Sequence, residues 1–330
     1  LAPLFPDKVN LTEPLGEAWL TGLDCKISSG QFAGKTLAQA WSEMDSAWRG
    51  LDFVGDAEFP LLLKFIFPKD KLSIQVHPDD AYAAVHEKAA GGRGKTEMWH
   101  IVSAKPGARL LAGLNPGTTK EKFCAALANH QLEELFQSHE AHPGDTYFIP
   151  AGTPHTIGPD MVVCEVQEYS DLTYRVYDYG RVDGSGRQRE LHVEKAVDVI
   201  NFDSRPVSKV QTKETVVRGI KLWEHLIDCQ YFEATKFQTD NYIHLKAIPK
   251  SPKQFQLWVF LEGEGTIDWS SDPHDFCRVN SGRFAFKPGQ CWFIPAVFGS
   301  YGYEVKGKTT VLMATPRNPK LYSQRDSDGV

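Results

Sequence analysis

The 330-residue chain repeats itself. PGDTYFIPAGTPH at 143–155 and PGQCWFIPAVFGS at 288–300 share the leading Pro-Gly, the Phe-Ile-Pro-Ala block and the spacing between them. Upstream of each lies a second, weaker match, EMWHIV at 97–102 beside QLWVFL at 256–261. Two blocks in the same order imply two similar units in tandem. Each block runs from a Pro-Gly turn through a short apolar stretch to another proline, the signature of a strand between turns. The pattern therefore predicts a mainly β chain, with units spanning 1–205 and 206–330.

The count of 27 Gly and 20 Pro suits a turn-rich β architecture better than a helical bundle. Helical spacing is confined to a few segments. Leu37, Ala40, Trp41, Met44 and Trp48 predict an amphipathic helix over 36–48, and Phe123, Leu127, Leu132 and Leu135 predict another over 118–136. A shorter helix is expected from Asp79 or Asp80 to about Ala90, ended by the Gly-rich GGRG. Strands are predicted at 60–67, 71–77, 97–102, 109–114, 146–149, 162–167 and 174–177. From Tyr231 to about Ala314 the chain reads β again.

With 36 Lys+Arg against 42 Asp+Glu, the net charge of −6 excludes a basic nucleic-acid binder. The longest strongly apolar stretch, 59–68, is interrupted by Lys64 and is too short to span a membrane. No secretory leader pattern opens the chain. The six cysteines, at 25, 124, 164, 229, 277 and 291, form no CxxC pair, which predicts reduced thiols and a cytoplasmic setting.

Several polar residues stand where chemistry is possible. In KLSIQVH, Ser73, Gln75 and His77 share one strand face, opposite Leu72, Ile74 and Val76. That face is either a solvated edge or a ligand surface. Glu97 opens a strand after the GGRGKT loop, and His155 closes the turn of the first repeat; imidazole and carboxylate together suit zinc and related ions. Lys64 sits among apolar neighbours in LLLKFIF, so it faces a polar cavity, pairs with an acid or lies on an edge strand. Glu165 and Gln167 share a face of the 162–167 strand. Arg175, in TYRVYDYGR, is a pocket cation or a surface arginine. GGRGKT does not fit a phosphate loop, because a helix precedes it and a strand follows.

The GDTYFIPAGTPH spacing resembles the second motif of cupin barrels, with QVH and Glu97 in the place of the first and Gln75 where one histidine is expected. LSIQVHPDD, GKTEMW, PAGTPHTIG and SDLTYRVYDYGR together resemble type I phosphomannose isomerases of the short bacterial form, collinearly from about Gly16 to His192. The resemblance implies tandem cupin (jelly-roll) barrels, one zinc ion per chain, and interconversion of mannose 6-phosphate and fructose 6-phosphate. Carried over by position, it makes Gln75, His77, Glu97 and His155 metal ligands. Arg175 becomes the catalytic arginine and Glu165 a pocket acid, with Lys64, Ser73 and Lys95 lining the pocket. Isomerisation through an enediol needs a Lewis acid, a base and fixed positive charge. The metal, Glu165 and Arg175 would supply them, with Lys95 and His77 as competing proton carriers. The expected partner is a small sugar phosphate, and the expected state a monomer or weak homodimer. Rival expectations are a non-catalytic sugar-phosphate-binding cupin and an iron cupin dioxygenase. In the second repeat Gln256, Val297 and Ser300 stand at the positions of Glu97, Gly152 and His155, so only the N-terminal barrel is expected to hold metal.

Overall fold

The computed structural model describes residues 4–5, 15–182, 185–203, 206–217, 220–239, 243–247, 253–270, 281–298, 300–305 and 307–325. The chain divides into two compact units. One comprises Leu15–Trp19 and Leu61–Val210; the other comprises Leu1–Pro14, Leu20–Pro60 and Gln211–Val330.

The first unit is built from two five-stranded sheets. One runs in the order Glu17–Trp19, Leu61–Ile66, Met161–Glu168, Glu97–Ala104, Thr146–Ile149; the other runs Tyr174–Tyr177, Ile74–Val76, His155–Ile157, Arg109–Leu114, Phe136–Glu140. Neighbours are antiparallel throughout. Leu61–Ile66 is buried at every position, which is why it reads as a continuous apolar run and not as an alternation. Trp99, Leu110, Ile149, Ile157 and Val163 form one core cluster, each no more than 2% exposed. Burying a side chain of this kind contributes about 1.5–3 kcal/mol. Ile74, Val76 and Tyr174 pack in another cluster with Phe123 and with Ala196 and Val197 of the Val193–Val199 helix.

The second unit has a six-stranded and a four-stranded sheet, so each unit carries the paired sheets of a jelly roll. The internal repeat is matched in strand register. Glu97 lies opposite Ile149 and Trp99 opposite Tyr147; likewise Gln256 lies opposite Ile294 and Trp258 opposite Trp292. Even a side-chain bond recurs: the Trp99 indole donates to Glu97 at 3.0 Å, and the Trp258 indole to Gln256 at 3.1 Å.

Three expectations are corrected. The 36–48 helix is two helices, Leu37–Glu43 and Ser46–Arg49, with extended backbone at Met44. Asp45 causes the break, because its carboxylate accepts from the Ala47 and Trp48 amides at 3.0 and 3.4 Å and so caps a new helix. The segment 20–60 also groups with the C-terminal unit, not with the N-terminal barrel of 1–205. The apolar face of its first helix explains why: Trp41, 2% exposed, meets Phe59 and Phe255 with ring centroids 5.1 and 5.6 Å apart. Finally, the 118–136 helix ends at Ala128. Asn129 turns its amide back onto the Ala125 carbonyl and His130 takes φ of 56°, a left-handed conformation that stops a helix. A 3-10 turn, Leu132–Leu135, and the Phe136–Glu140 strand follow.

Candidate active site

His77 follows directly on the Ile74–Val76 strand, His155 begins the neighbouring strand, and Glu97 begins a strand of the other sheet. The fold brings all three together. His77 Nε2 is 3.0 Å from one Glu97 oxygen, and His155 Nε2 is 3.9 Å from the other. One ligand atom from each residue falls within 4.8 Å of the rest, and among the described residues this is the one such group of three. All three side chains are at most 1% exposed.

Their protonation suits metal binding. His77 Nδ1 is 2.8 Å from the Leu172 carbonyl and His155 Nδ1 is 2.8 Å from the Thr153 carbonyl. A carbonyl only accepts, so Nδ1 carries the hydrogen and each Nε2 lone pair faces the cluster. Burial pushes the His77 pKa down to about 3 and lowers that of His155 as well, which keeps both rings neutral. Burial alone would raise the Glu97 pKa; the Lys95 ammonium paired with it outweighs that and holds the carboxyl well below its usual range. His155 Nε2 is buried with no hydrogen-bond partner. Two imidazole nitrogens, one of them orphaned, and an ionised carboxylate fit a divalent cation of the zinc type.

Gln75 lies cross-strand from His155 on one side and from Arg175 on the other. Directly opposed residues of neighbouring strands face the same way, so these three share a face of their sheet. Ser73 is buried, 3% exposed, just before the same strand.

Two lysines complete the charge pattern. Lys95 pairs with Glu97 and lies 3.2 Å from His77 Nε2. Its place depends on the preceding loop: the Lys95 amide donates to the Pro78 carbonyl at 3.1 Å, and the Gly94 amide to the Asp80 carboxylate at 2.8 Å. A Cβ at Gly94 would fall 2.5 Å from the Asp80 nitrogen, so this glycine of GGRGKT serves close backbone approach. Lys64 lies in an inner strand, not an edge, and its ammonium is 3.2 Å from Glu165 and 3.5 Å from Glu17. Burial would lower the Lys64 pKa, but the Glu165, Glu17 and Glu97 charges raise it overall. Glu165 is shifted upward by burial and by the like charge of Glu97, with Lys64 and Lys95 pulling the other way.

The cation beside Glu165 is Lys64, its direct cross-strand partner, and not Arg175, whose Tyr174–Tyr177 strand belongs to the other sheet. Arg175 donates from Nη1 to the Glu190 carbonyl at 3.1 Å.

Sequence reading overlooked three residues of this site. Trp99 donates to both Glu97 and Glu165, at 3.0 and 2.9 Å. Its signal was present, since a residue two after Glu97 shares its face. Glu168, pushed up to about 8 by burial and by the nearby Asp80 charge, accepts the Thr96 amide at 2.7 Å. Glu17, in an edge strand, reaches Lys64 through a pairing that no local pattern signals.

The model for the family "Phosphomannose isomerase type I, catalytic domain" matches residues 2–102. The chain is 35% identical over 280 residues to mannose-6-phosphate isomerase ManA of Bacillus subtilis, covering 84% of this chain and 81% of that protein. It is 29% identical over 303 residues to the mannose-6-phosphate isomerase of Streptococcus mutans, covering 89% and 86%. Among solved structures, the mannose 6-phosphate isomerase from Bacillus subtilis matches with a TM-score of 0.78 at 28% identity, covering 94% of this chain and 93% of that one. A phosphomannose isomerase from Salmonella typhimurium, 15% identical with a TM-score of 0.69 over 93% of this chain and 92% of that one, shares the fold.

Proposed function

The chain belongs to the type I phosphomannose isomerase family, and on that premise we propose that it interconverts mannose 6-phosphate and fructose 6-phosphate through an enediol, with one zinc ion held by His77, Glu97 and His155. The observation that carries this reading is the buried triad with its Nε2 lone pairs turned inward. Gln75 is the fourth ligand in this reading, weaker than the others because its amide oxygen is neutral. When bound, the ion supplies Lewis acidity to the carbonyl and hydroxyl oxygens of the sugar.

The protein's own groups do the rest. The reaction takes a proton from C2, whose bonding pair becomes the C1–C2 double bond of the enediol while the carbonyl pair moves onto O1. O1 gains a proton and O2 gives one up, and the proton returned to C1 leaves the carbonyl at C2. Glu165 is the proton carrier. Burial and the Glu97 charge raise its basicity, while Trp99 on one oxygen and Lys64 on the other hold it in place. Arg175 supplies fixed positive charge as the enediolate develops. Lys64 and Ser73 receive the phosphate. Lys95, against Glu97 and His77, orients the carboxylate and stands by as a second proton carrier.

Two imidazoles and one carboxylate are also the donor set of non-haem iron sites. Oxygen uptake with bound iron, in place of isomerisation, would favour that second reading. The deciding experiment is fructose 6-phosphate formation from mannose 6-phosphate before chelation, after chelation and after zinc is restored. Activity indifferent to chelation would sink the metal assignment. No helix among the described residues is long and apolar enough to cross a membrane. The same reading places the enzyme in the cytoplasm, as a monomer or weak homodimer, and the unclustered cysteine spacing supports a reducing setting.

A further inference from the structure

We propose that Asp178 is a positioning residue for Arg175: it pins the returning segment whose Glu190 carbonyl orients the Arg175 guanidinium. The inference rests on the reading of Arg175 as the group that meets the developing charge.

Asp178 follows the Tyr174–Tyr177 strand and is 5% exposed. A carboxylate so buried must be paired, and two arginines pair with it. Arg189 donates from Nε to Oδ2 at 2.8 Å and from Nη2 to Oδ1, a two-pronged grip. Arg181 donates to Oδ1 from Nε at 3.2 Å and from Nη2. Neither arginine has a part in the reaction described above. Their chemistry is spent on holding backbone.

What they hold leads to Arg175. Arg189 immediately precedes Glu190, whose carbonyl accepts from Arg175 Nη1 at 3.1 Å. The same segment is tied to the Arg175 main chain, since the His192 amide donates to the Arg175 carbonyl at 2.7 Å and the Arg175 amide donates to His192 Nδ1 at 3.3 Å. Arg181 reaches across to the Lys71 carbonyl, ahead of the strand that carries Gln75. Arg175 Nε is buried and makes no hydrogen bond. The guanidinium is thus fixed through one arm, and its direction follows wherever the 189–192 backbone is placed. Asp178 also offsets the charge of Arg181 and Arg189, which would otherwise act on Arg175 as like charges.

The test is steady-state kinetics on the zinc-loaded full chain with mannose 6-phosphate. It compares Asp178→Asn, Arg175→Lys and the double variant, with thermal melting of each. Misplacement on the ångström scale costs about 100-fold in rate. Asp178→Asn should therefore lower kcat about 100-fold with KM changed less than about threefold. In the Arg175→Lys background the same change should cost less than about threefold, because the group it positions is gone. An equal factor in both backgrounds would overturn the proposal. So would a kcat loss that merely tracks the fraction of unfolded protein. Arg189→Gln, at a side chain 48% exposed, repeats the test without removing the buried charge and should show the same coupling to Arg175. Full activity of Arg175→Lys alone would instead refute the role of Arg175 itself.

Discussion

Replacing Lys64 with methionine leaves Glu165 with a buried charge and removes its nearest cation. Methionine keeps an unbranched stem of similar length, so the change is electrostatic more than steric. Lys64 is 3% exposed and Glu165 2%, with 3.2 Å between the charged atoms. At an effective dielectric constant of about 20, that contact is worth about 5 kcal/mol before desolvation is counted. Breaking a buried pair from one side costs about 3–5 kcal/mol in measured cases. Protonation of Glu165 limits the damage. Neutralising a glutamate of ordinary pKa costs about 1.36 kcal/mol for each pH unit above roughly 4.3. The penalty at pH 7 is therefore capped near 4 kcal/mol, and at pH 5 near 1 kcal/mol. Urea denaturation at both pH values, on the metal-free chain, reads this directly. Because the Glu165 pKa is already raised beside Lys64, wild type bears part of that penalty, so Lys64→Met should lose about 2–3 kcal/mol at pH 7 and less than about 1 kcal/mol at pH 5. In Lys64→Met/Glu165→Gln the two losses should fall short of their sum by about 2 kcal/mol or more. A loss below about 1 kcal/mol at pH 7, unchanged at pH 5, would refute the pairing as the source of the Glu165 charge. Additivity of the two substitutions would do the same. In turnover, loss of Lys64 raises the Glu165 pKa further, so the acidic limb of the rate profile should move to higher pH.

The metal ligands should rank in a measurable order: His77→Ala and His155→Ala lose zinc and nearly all activity, while Gln75→Ala keeps weak binding, as zinc content after dialysis will show. Wild-type protein should retain one ion per chain, because Gln256, at the Glu97 position of the repeat, is neutral and already bonded to Trp258 and Thr315 at 3.1 and 3.3 Å; a second ion bound near Ser300 would contradict this. Glu165→Gln should keep zinc and sugar-phosphate binding yet abolish both isomerisation and solvent hydrogen exchange at C2, and exchange at a near wild-type rate would assign the base elsewhere. Acid should destabilise the metal-free fold through its histidines. The folded His77 pKa is about 3, depressed from the unfolded value of about 6.5, so its contribution is complete above pH 6.5 and drains away as pH falls toward 3. Denaturation midpoints that stay flat across that window would argue against the buried neutral rings.

Local sequence carried the elements that local physics controls. Alternation in KLSIQVH and Gly-Pro punctuation around FIPA report on chain direction and side-chain facing within a few residues, and the strands at Arg109–Leu114, Thr146–Ile149 and Tyr174–Tyr177 have the bounds expected of them. The repeat carried more, because two copies of one pattern imply one register twice, and Glu97 and Gln256 do occupy matching ladder positions. The distribution of partners was another matter. A single carboxylate at Asp45 splits a helix whose apolar spacing is continuous, and Trp41 draws 20–60 to the C-terminal unit through contacts with a phenylalanine far along the chain. Glu165 and Arg175 are ten residues apart, yet they stand in different sheets, and the charge beside Glu165 comes from Lys64. Periodicity states which way a side chain faces. Which charge it meets there depends on strand order, and strand order is settled by the burial of whole faces that no short window of sequence contains.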